Sequence, residues 1–152
     1  MRSQIRPLVL LFCTLTMASA ADFIGTWKLN IAKSKAVGMA LPQEQTSTYT
    51  AKGSGYENMT MGKSATGEAI HTMFTYVKDG EEMKATGYPN WDAIVINGGT
   101  ASKATAQLKR QGKIVGSAKR TMAADGKSFT LVGKVTLADG KKATYNYIYD
   151  KQ

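Results

Sequence analysis

Phe23-Ile-Gly-Thr-Trp-Lys-Leu-Asn30 is the stretch on which the reading of this chain turns. Taken alternately, Phe23, Trp27 and Leu29 fall on one side and Thr26 and Lys28 on the other, the period of a strand with one apolar face. Downstream the same chemistry returns at short intervals. Asp79-Gly80, Asp125-Gly126 and Asp139-Gly140 supply tight hairpin turns, and Gly53-Ser54-Gly55 and Gln111-Gly112 serve similarly. The runs between them are rich in Thr, Tyr, Val, Ile and Phe. They predict strands over 24–30, 45–51, 55–61, 68–77, 81–87, 92–97, 102–110, 113–122, 128–137 and 142–150.

Only Ile31 to Ala40 breaks the rhythm. It lacks alternation and is rich in helix formers, so it predicts a short helical segment after the first strand, ended at Gly38 before Pro42. Ten strands joined by short turns make an antiparallel meander. A sheet with one apolar face must hide it, and consecutive hairpins do so most simply by closing into an up-and-down β-barrel. The Asp-Gly pairs stand singly between strands, without the clustered oxygen ligands and closing glutamate of a calcium loop.

Upstream of Phe23 the chain is built differently. Arg2 and Arg6 precede an apolar stretch from Pro7 to Met17, and Ala18-Ser19-Ala20 offers small residues for cleavage before Ala21. The apolar stretch is shorter than the roughly 20 residues a bilayer span needs. Residues 1–20 are therefore expected to be a removable signal peptide, residues 21–152 a single barrel domain, and the location the periplasm or the extracellular medium. Cys13, the only cysteine, would leave with the signal. Disulfides, thiol catalysis and cysteine metal sites are then excluded.

Of 20 basic and 11 acidic residues, only Arg2 and Arg6 fall in that signal, so the remainder carries 18 against 11, net +7. Such a surface suits anionic partners. The lysines nevertheless stand singly, many beside turns, as on an ordinary solvated surface. No nucleic-acid-binding signature is present, and no nucleic-acid partner is expected.

Alternation assigns inward residues. Phe129, Leu131, Val135 and Leu137 share a face, as do Ile70, Phe74 and Tyr76, although Met73 and Val77 blur the second pattern. Ile114, Gly116, Ala118, Arg120 and Met122 share another, which puts a guanidinium on the apolar side. Two readings stand for Arg120. It packs over Trp27 and donates to backbone carbonyls, closing one end, or it receives an anion at the bottom of a cavity. Tyr145, Tyr147 and Tyr149 form an inward aromatic stripe, either as wall packing or with hydroxyls offered to a ligand. Ala104, Ala106, Gly116, Ala118 and Gly133 are small inward residues that leave room inside.

The opening 23–30 segment, Ala32-Lys-Ser-Lys35, Thr86-Gly-Tyr-Pro-Asn-Trp-Asp92, Gly112-Lys-Ile-Val-Gly116, Asp125-Gly-Lys127 and the terminal Tyr147-Ile-Tyr-Asp-Lys-Gln152 together resemble a family of small secreted bacterial proteins of lipocalin-like, calycin-type barrel fold. That resemblance covers nearly the whole chain after the signal and implies a fold and an envelope location without an activity. A more distant similarity runs to the fatty-acid-binding proteins, which also open with Gly-x-Trp-Lys-Leu and close with Arg-x-Tyr. Here Tyr149 matches the tyrosine, whereas Tyr147 stands where their arginine would hold a carboxylate. Arg120, joined by Arg110, is the inward cation left for that role.

Catalytic chemistry finds little support. His71 is the only histidine and sits mid-strand, and Glu81 and Glu82 point to opposite faces beside a turn. No cofactor and no metal are expected. Trp91 and Tyr88 flank Pro89-Asn90 at a strand connection, where an aromatic pair either shapes a barrel mouth or plugs it. The leading expectation is a noncatalytic exported monomer that holds a small apolar or amphipathic ligand in a cavity. Its candidate lining is Arg120, Tyr147, Tyr149, Phe74, Tyr76 and Phe129, with Gly25 and Trp27 in structural roles. The alternative is a filled structural barrel whose basic surface meets an anionic envelope component or a protein partner.

Overall fold

The computed structural model describes residues 23–152. The expected signal and Cys13 lie outside the described residues. Strands run in the order β1 (Gly25–Leu29), β2 (Lys35–Val37), β3 (Glu44–Lys52), β4 (Gly55–Lys63), β5 (Ala69–Tyr76), β6 (Glu82–Thr86), β7 (Ala93–Asn97), β8 (Lys103–Arg110), β9 (Lys113–Met122), β10 (Ser128–Thr136) and β11 (Lys142–Lys151). From β3 to β11 each pairs antiparallel with the next, and β1 pairs with both β3 and β11. Lys28 thus stands between Thr46 and Asp150, and the sheet is a closed barrel. All ten strands read from the sequence are present.

The predicted helical segment is corrected. Ile31–Lys33 makes one 3-10 turn, and the chain then runs extended as β2. Asn30 caps that turn, its side-chain oxygen accepting from the Lys33 N–H at 3.1 Å. Ser34 then ties the segment down, its hydroxyl donating to Asn30 O at 2.7 Å and accepting from Ile148 N–H at 3.0 Å. β1 pairs with β11 only over Tyr149, Asp150 and Lys151. β11 extends well beyond that, and β2 takes up its register from Thr144 to Asn146. Backbone groups waiting to be paired outweigh a weak helical preference.

Antiparallel alternation gives the barrel two ends. The loops at 53–54, 77–81, 98–102 and 123–127 lie at the lower end with Phe23; those at 38–43, 64–68, 87–92 and 137–141 lie at the upper end. The lower end is filled by rings. Phe23 meets Tyr49 and Tyr56 edge-on at 5.5 and 4.9 Å, Tyr56 stacks on Tyr76 at 4.8 Å, and Trp27 meets Phe129 at 5.0 Å. Trp27 is fully buried and donates its indole N–H to Phe23 O at 2.8 Å, so β1 is fixed by packing and by a satisfied polar tip.

One face assignment fails locally. Leu108 pairs with Gly116 while the adjacent Lys109 pairs with Ile114, leaving Val115 as an extra residue in β9. This bulge turns Ile114 outward, 61 % exposed, whereas Gly116, Ala118, Arg120 and Met122 keep the inward side. Val115 packs against the core in its place.

Candidate functional site

Above the aromatic plug the barrel holds a cavity of about 490 Å³. Its lining differs from side to side. β3, β4 and β5 contribute the polar Gln45, Ser47, Asn58, Thr60 and Thr72 beside Tyr49, Tyr56, Ile70 and Phe74; across the barrel β7 to β10 contribute mainly aliphatic residues, Ile94, Ile96, Ala106, Leu108, Ala118, Leu131 and Val135. Tyr145, Tyr147 and Tyr149 of β11 form a further wall, and the upper rim carries Met39, Pro42, Ala65, Tyr88, Pro89 and Trp91. Tyr88 and Trp91 stack at 3.7 Å. They line the upper part of the cavity, as a mouth would.

The expected residues divide accordingly. Arg120, Phe74, Phe129, Tyr147 and Tyr149 all line the cavity. Tyr76 does not: it lies beneath, stacked on Tyr56, its hydroxyl donating to Asp79 at 2.8 Å. That contact follows from the lower-end loop, where Asp79 also accepts from Gly99 N–H at 3.0 Å. Hydrogen bonds from Gly99 and Gly98 and then from Tyr76 hold the Asp79 carboxyl below its usual range. Gly25 has φ of 133°, a backbone region that favours glycine.

Arg120 is 5 % exposed and sits at the cavity floor. Its guanidinium donates to Gly99 O at 2.8 Å and Ala101 O at 3.2 Å, and its centre lies 4.2 Å from the Phe23 ring centroid and 5.8 Å from that of Tyr49. It therefore closes the lower end through carbonyls and ring faces, but over Phe23 rather than Trp27. Lys151 is the cation near Trp27, at 5.4 Å. Arg120 Nε has no hydrogen-bond partner among the described residues. Arg110 does not join it. At the upper end Arg110 donates to Asn90 O at 3.0 Å and Thr136 O at 3.2 Å, pinning the rim loop that carries Tyr88 and Trp91.

The tyrosines keep their protons. Burial pushes Tyr145, Tyr147 and Tyr149 up from their ordinary value. Burial does the same to Tyr56 and Tyr88. Tyr149 shares a hydrogen bond with Gln45, which donates to its hydroxyl oxygen, and its ring stacks on Phe129 at 4.7 Å. Neutral phenols beside apolar side chains make a wall that accepts apolar or uncharged surface.

Small residues open the interior only in part. Ala104, Ala106 and Ala118 line the cavity. At Gly133 the space is taken, because an added Cβ would run into the ring of its cross-strand partner Tyr145. At Gly116 an added Cβ would strike the Lys134 carbonyl, so that glycine serves close strand approach beside the bulge.

The polar wall was not among the residues read from the sequence. On β4, Tyr56, Asn58 and Thr60 point inward, while Met59 and Met61 point outward, Met61 being 55 % exposed. Hydropathy alone would turn this strand over. The signal that fixes it is Tyr56 beside the hairpin glycine Gly55, from which alternation carries Asn58 and Thr60 inward. His71 lies exposed on the outside of β5. Glu82 is bound to Lys109 across the sheet, and Glu81 lies 3.6 Å from Lys78.

No family model matches the chain, and no curated protein matches it. Among solved structures it is similar to a zebrafish ileal bile-acid-binding protein complexed with cholic acid, at 12 % identity over 88 % of this chain and 100 % of that one, with a TM-score of 0.49. It is also similar to a redesigned β-barrel bound to DFHBI, at 16 % identity over 82 % and 92 % with a TM-score of 0.38. A siderocalin, Ex-FABP, is similar at 13 % identity over 85 % and 73 %, also at 0.38. In class, the described residues form an all-β antiparallel barrel, β1 and β3 to β11, closed by pairing of β1 with β11.

Proposed function

We propose that this protein is a noncatalytic binding protein that takes one small apolar or amphipathic molecule into the barrel. The observation that carries the reading is the cavity of about 490 Å³ between the aromatic plug and the rim, within the size range of small-molecule sites. Arg120, Phe74, Phe129, Tyr147 and Tyr149 are its proposed contacts, and Tyr76 supports the floor from below. In the same proposal residues 1–20 are removed on export, residues 21–152 act as one domain in the periplasm or outside the cell, and the protein works as a monomer.

Native mass spectrometry of the protein from its own compartment, followed by denaturing extraction, tests this. A stoichiometric apolar or amphipathic adduct on a chain beginning at Ala21 is the expected result. A bare chain that also fails to bind apolar fluorescent probes contradicts the binding role, and a chain retaining residues 1–20 contradicts export.

One observation favours a second role for the outer surface. The strands β8 to β11 and β2 carry exposed Lys35, Lys103, Lys119 and Lys134, and Asp150 is their only acid. Lysines scattered along the sequence are thus gathered on one side, around the exposed Val37 and Val132. This arrangement supports attachment to an anionic envelope component. Retention on phosphatidylglycerol vesicles that is lost in high salt is expected; equal retention on phosphatidylcholine vesicles contradicts it.

A further inference from the structure

The polar wall runs against the logic of the rest of the interior. Ser47, Thr60 and Thr72 face one another across β3, β4 and β5, Ser47 opposite Thr60 and Thr60 opposite Thr72. All three side chains are at least nine-tenths buried, as is the adjoining Asn58. β4 keeps Asn58 and Thr60 inside while leaving Met61 in water. A strand that buries its hydroxyl and amide while exposing a methionine is paying in stability for something other than packing.

The hydrogen bonds within this row are incomplete in a defined way. Asn58 Nδ2 donates to Ser47 Oγ at 2.8 Å, and Thr60 Oγ1 donates to the same oxygen at 3.1 Å. Ser47 therefore accepts twice, and its own proton remains to be given. Thr72 Oγ1 is buried with no hydrogen-bond partner among the described residues. The Tyr88 hydroxyl lies beside Thr72 and feels its influence, but without the geometry of a hydrogen bond. Both hydroxyls border the cavity.

Charge narrows the chemistry further. Among the described lining residues the charged side chains are Arg120, at the floor, held by two carbonyls and a ring face with its Nε unpartnered, and Glu68, in the upper β4–β5 hairpin. Neither belongs to the Ser47–Thr60–Thr72 row. The wall facing that row is aliphatic, from Ile94 and Ile96 through Leu108 to Val135.

From this we infer that the ligand carries an uncharged hydroxyl or carbonyl oxygen along one edge. That edge lies on the Ser47–Thr60–Thr72 row, where the oxygen bonds the unpartnered Thr72 hydroxyl. The apolar body lies against β7 to β10. The inference rests on the binding role proposed above and specifies its ligand class.

Pyrene and 1-hydroxypyrene test it, being alike in shape and differing by one hydroxyl. Fluorescence titration should give wild-type protein at least about fivefold tighter binding of 1-hydroxypyrene, the value of one net hydrogen bond. Thr72→Val should erase that preference while binding pyrene as the wild type does, and should melt no lower, since its hydroxyl is unpaired in the empty barrel. Thr72→Ser should keep the preference. Equal wild-type affinities for the two probes, or a preference that survives Thr72→Val, overturns the inference while leaving the binding role intact. Binding of neither probe overturns both.

Discussion

The Arg120 guanidinium lies 4.2 Å from the centre of the Phe23 ring, so the strand that follows Phe23 and a strand nearly a hundred residues later are joined at the lower end of the barrel. The same guanidinium reaches Gly99 O and Ala101 O. One side chain thus ties together the N-terminal strand, β9 and the 98–102 loop. Phe23→Leu and Arg120→Met should each destabilise by about 1–3 kcal/mol, the second by orphaning the Gly99 carbonyl. A double-mutant cycle in urea should return a coupling of about 0.5–2 kcal/mol. Strict additivity would mean that the ring and the cation do not act on each other.

Trp27 is the other anchor of this end, fully buried with its indole N–H bonded to Phe23 O. Trp27→Ala should cost about 3–5 kcal/mol. A thermal melt that matches the wild type would remove β1 from the core.

The buried tyrosines predict how the barrel fails in alkali. Tyr56, Tyr88, Tyr145, Tyr147 and Tyr149 are all pushed above the ordinary value of 10.0, by burial first. The unfolded chain therefore loses those protons at lower pH than the folded one. Stability contributed by neutral phenols is complete below about pH 10 and declines above it, until the folded groups themselves titrate. Tyrosinate absorbance at 295 nm should rise together with loss of the barrel's circular dichroism. Gradual ionisation near pH 10 of an intact barrel would contradict the burial of these groups.

At the β8–β9 turn Gln111 has φ of 50° and Gly112 has φ of 76°. A glutamine held in the left-handed region is strained, and Asp92 offsets part of that by accepting from the Gln111 N–H at 3.0 Å. Gln111→Asn should raise stability by about 0.5–1 kcal/mol without changing the hairpin, as read by chemical denaturation. Destabilisation would show that the glutamine side chain contributes more than its backbone costs.

Gly133→Ala tests a subtler relationship. The new methyl would meet the Tyr145 ring, which forms part of the cavity wall. Displacement of that ring should cost about 1–3 kcal/mol and weaken binding of an apolar probe. A variant with wild-type stability and affinity would place Tyr145 elsewhere.

Much of this was legible because hairpin chemistry is local. Asp125-Gly126 and Asp139-Gly140 form turns in which each aspartate accepts from the N–H two residues on, at 2.9 and 3.0 Å, and alternation from Phe23 to Leu29 already showed which side is buried. Residues 31–37 were misread because their conformation is set by β11, whose free backbone groups lie more than a hundred residues away. Ile114 was misread because one extra residue in β9 reverses its face, and no local composition marks a bulge. Arg120 was legible as buried, yet its partners were not, since Phe23 and the 98–102 carbonyls meet it only when the barrel closes. The polar wall escaped because Met59 and Met61 suggest the opposite face to the one that Tyr56 fixes.

The central claim, that the barrel interior is a binding site, is tested most directly by filling it. Ala106 and Ala118 pair across β8 and β9 and both line the cavity. Pyrene should bind wild-type protein one to one, and Ala106→Leu/Ala118→Leu should fold as a barrel by circular dichroism but lose that binding at least tenfold. Undiminished binding by the folded, filled variant would place the ligand on the outside of the barrel and contradict the account.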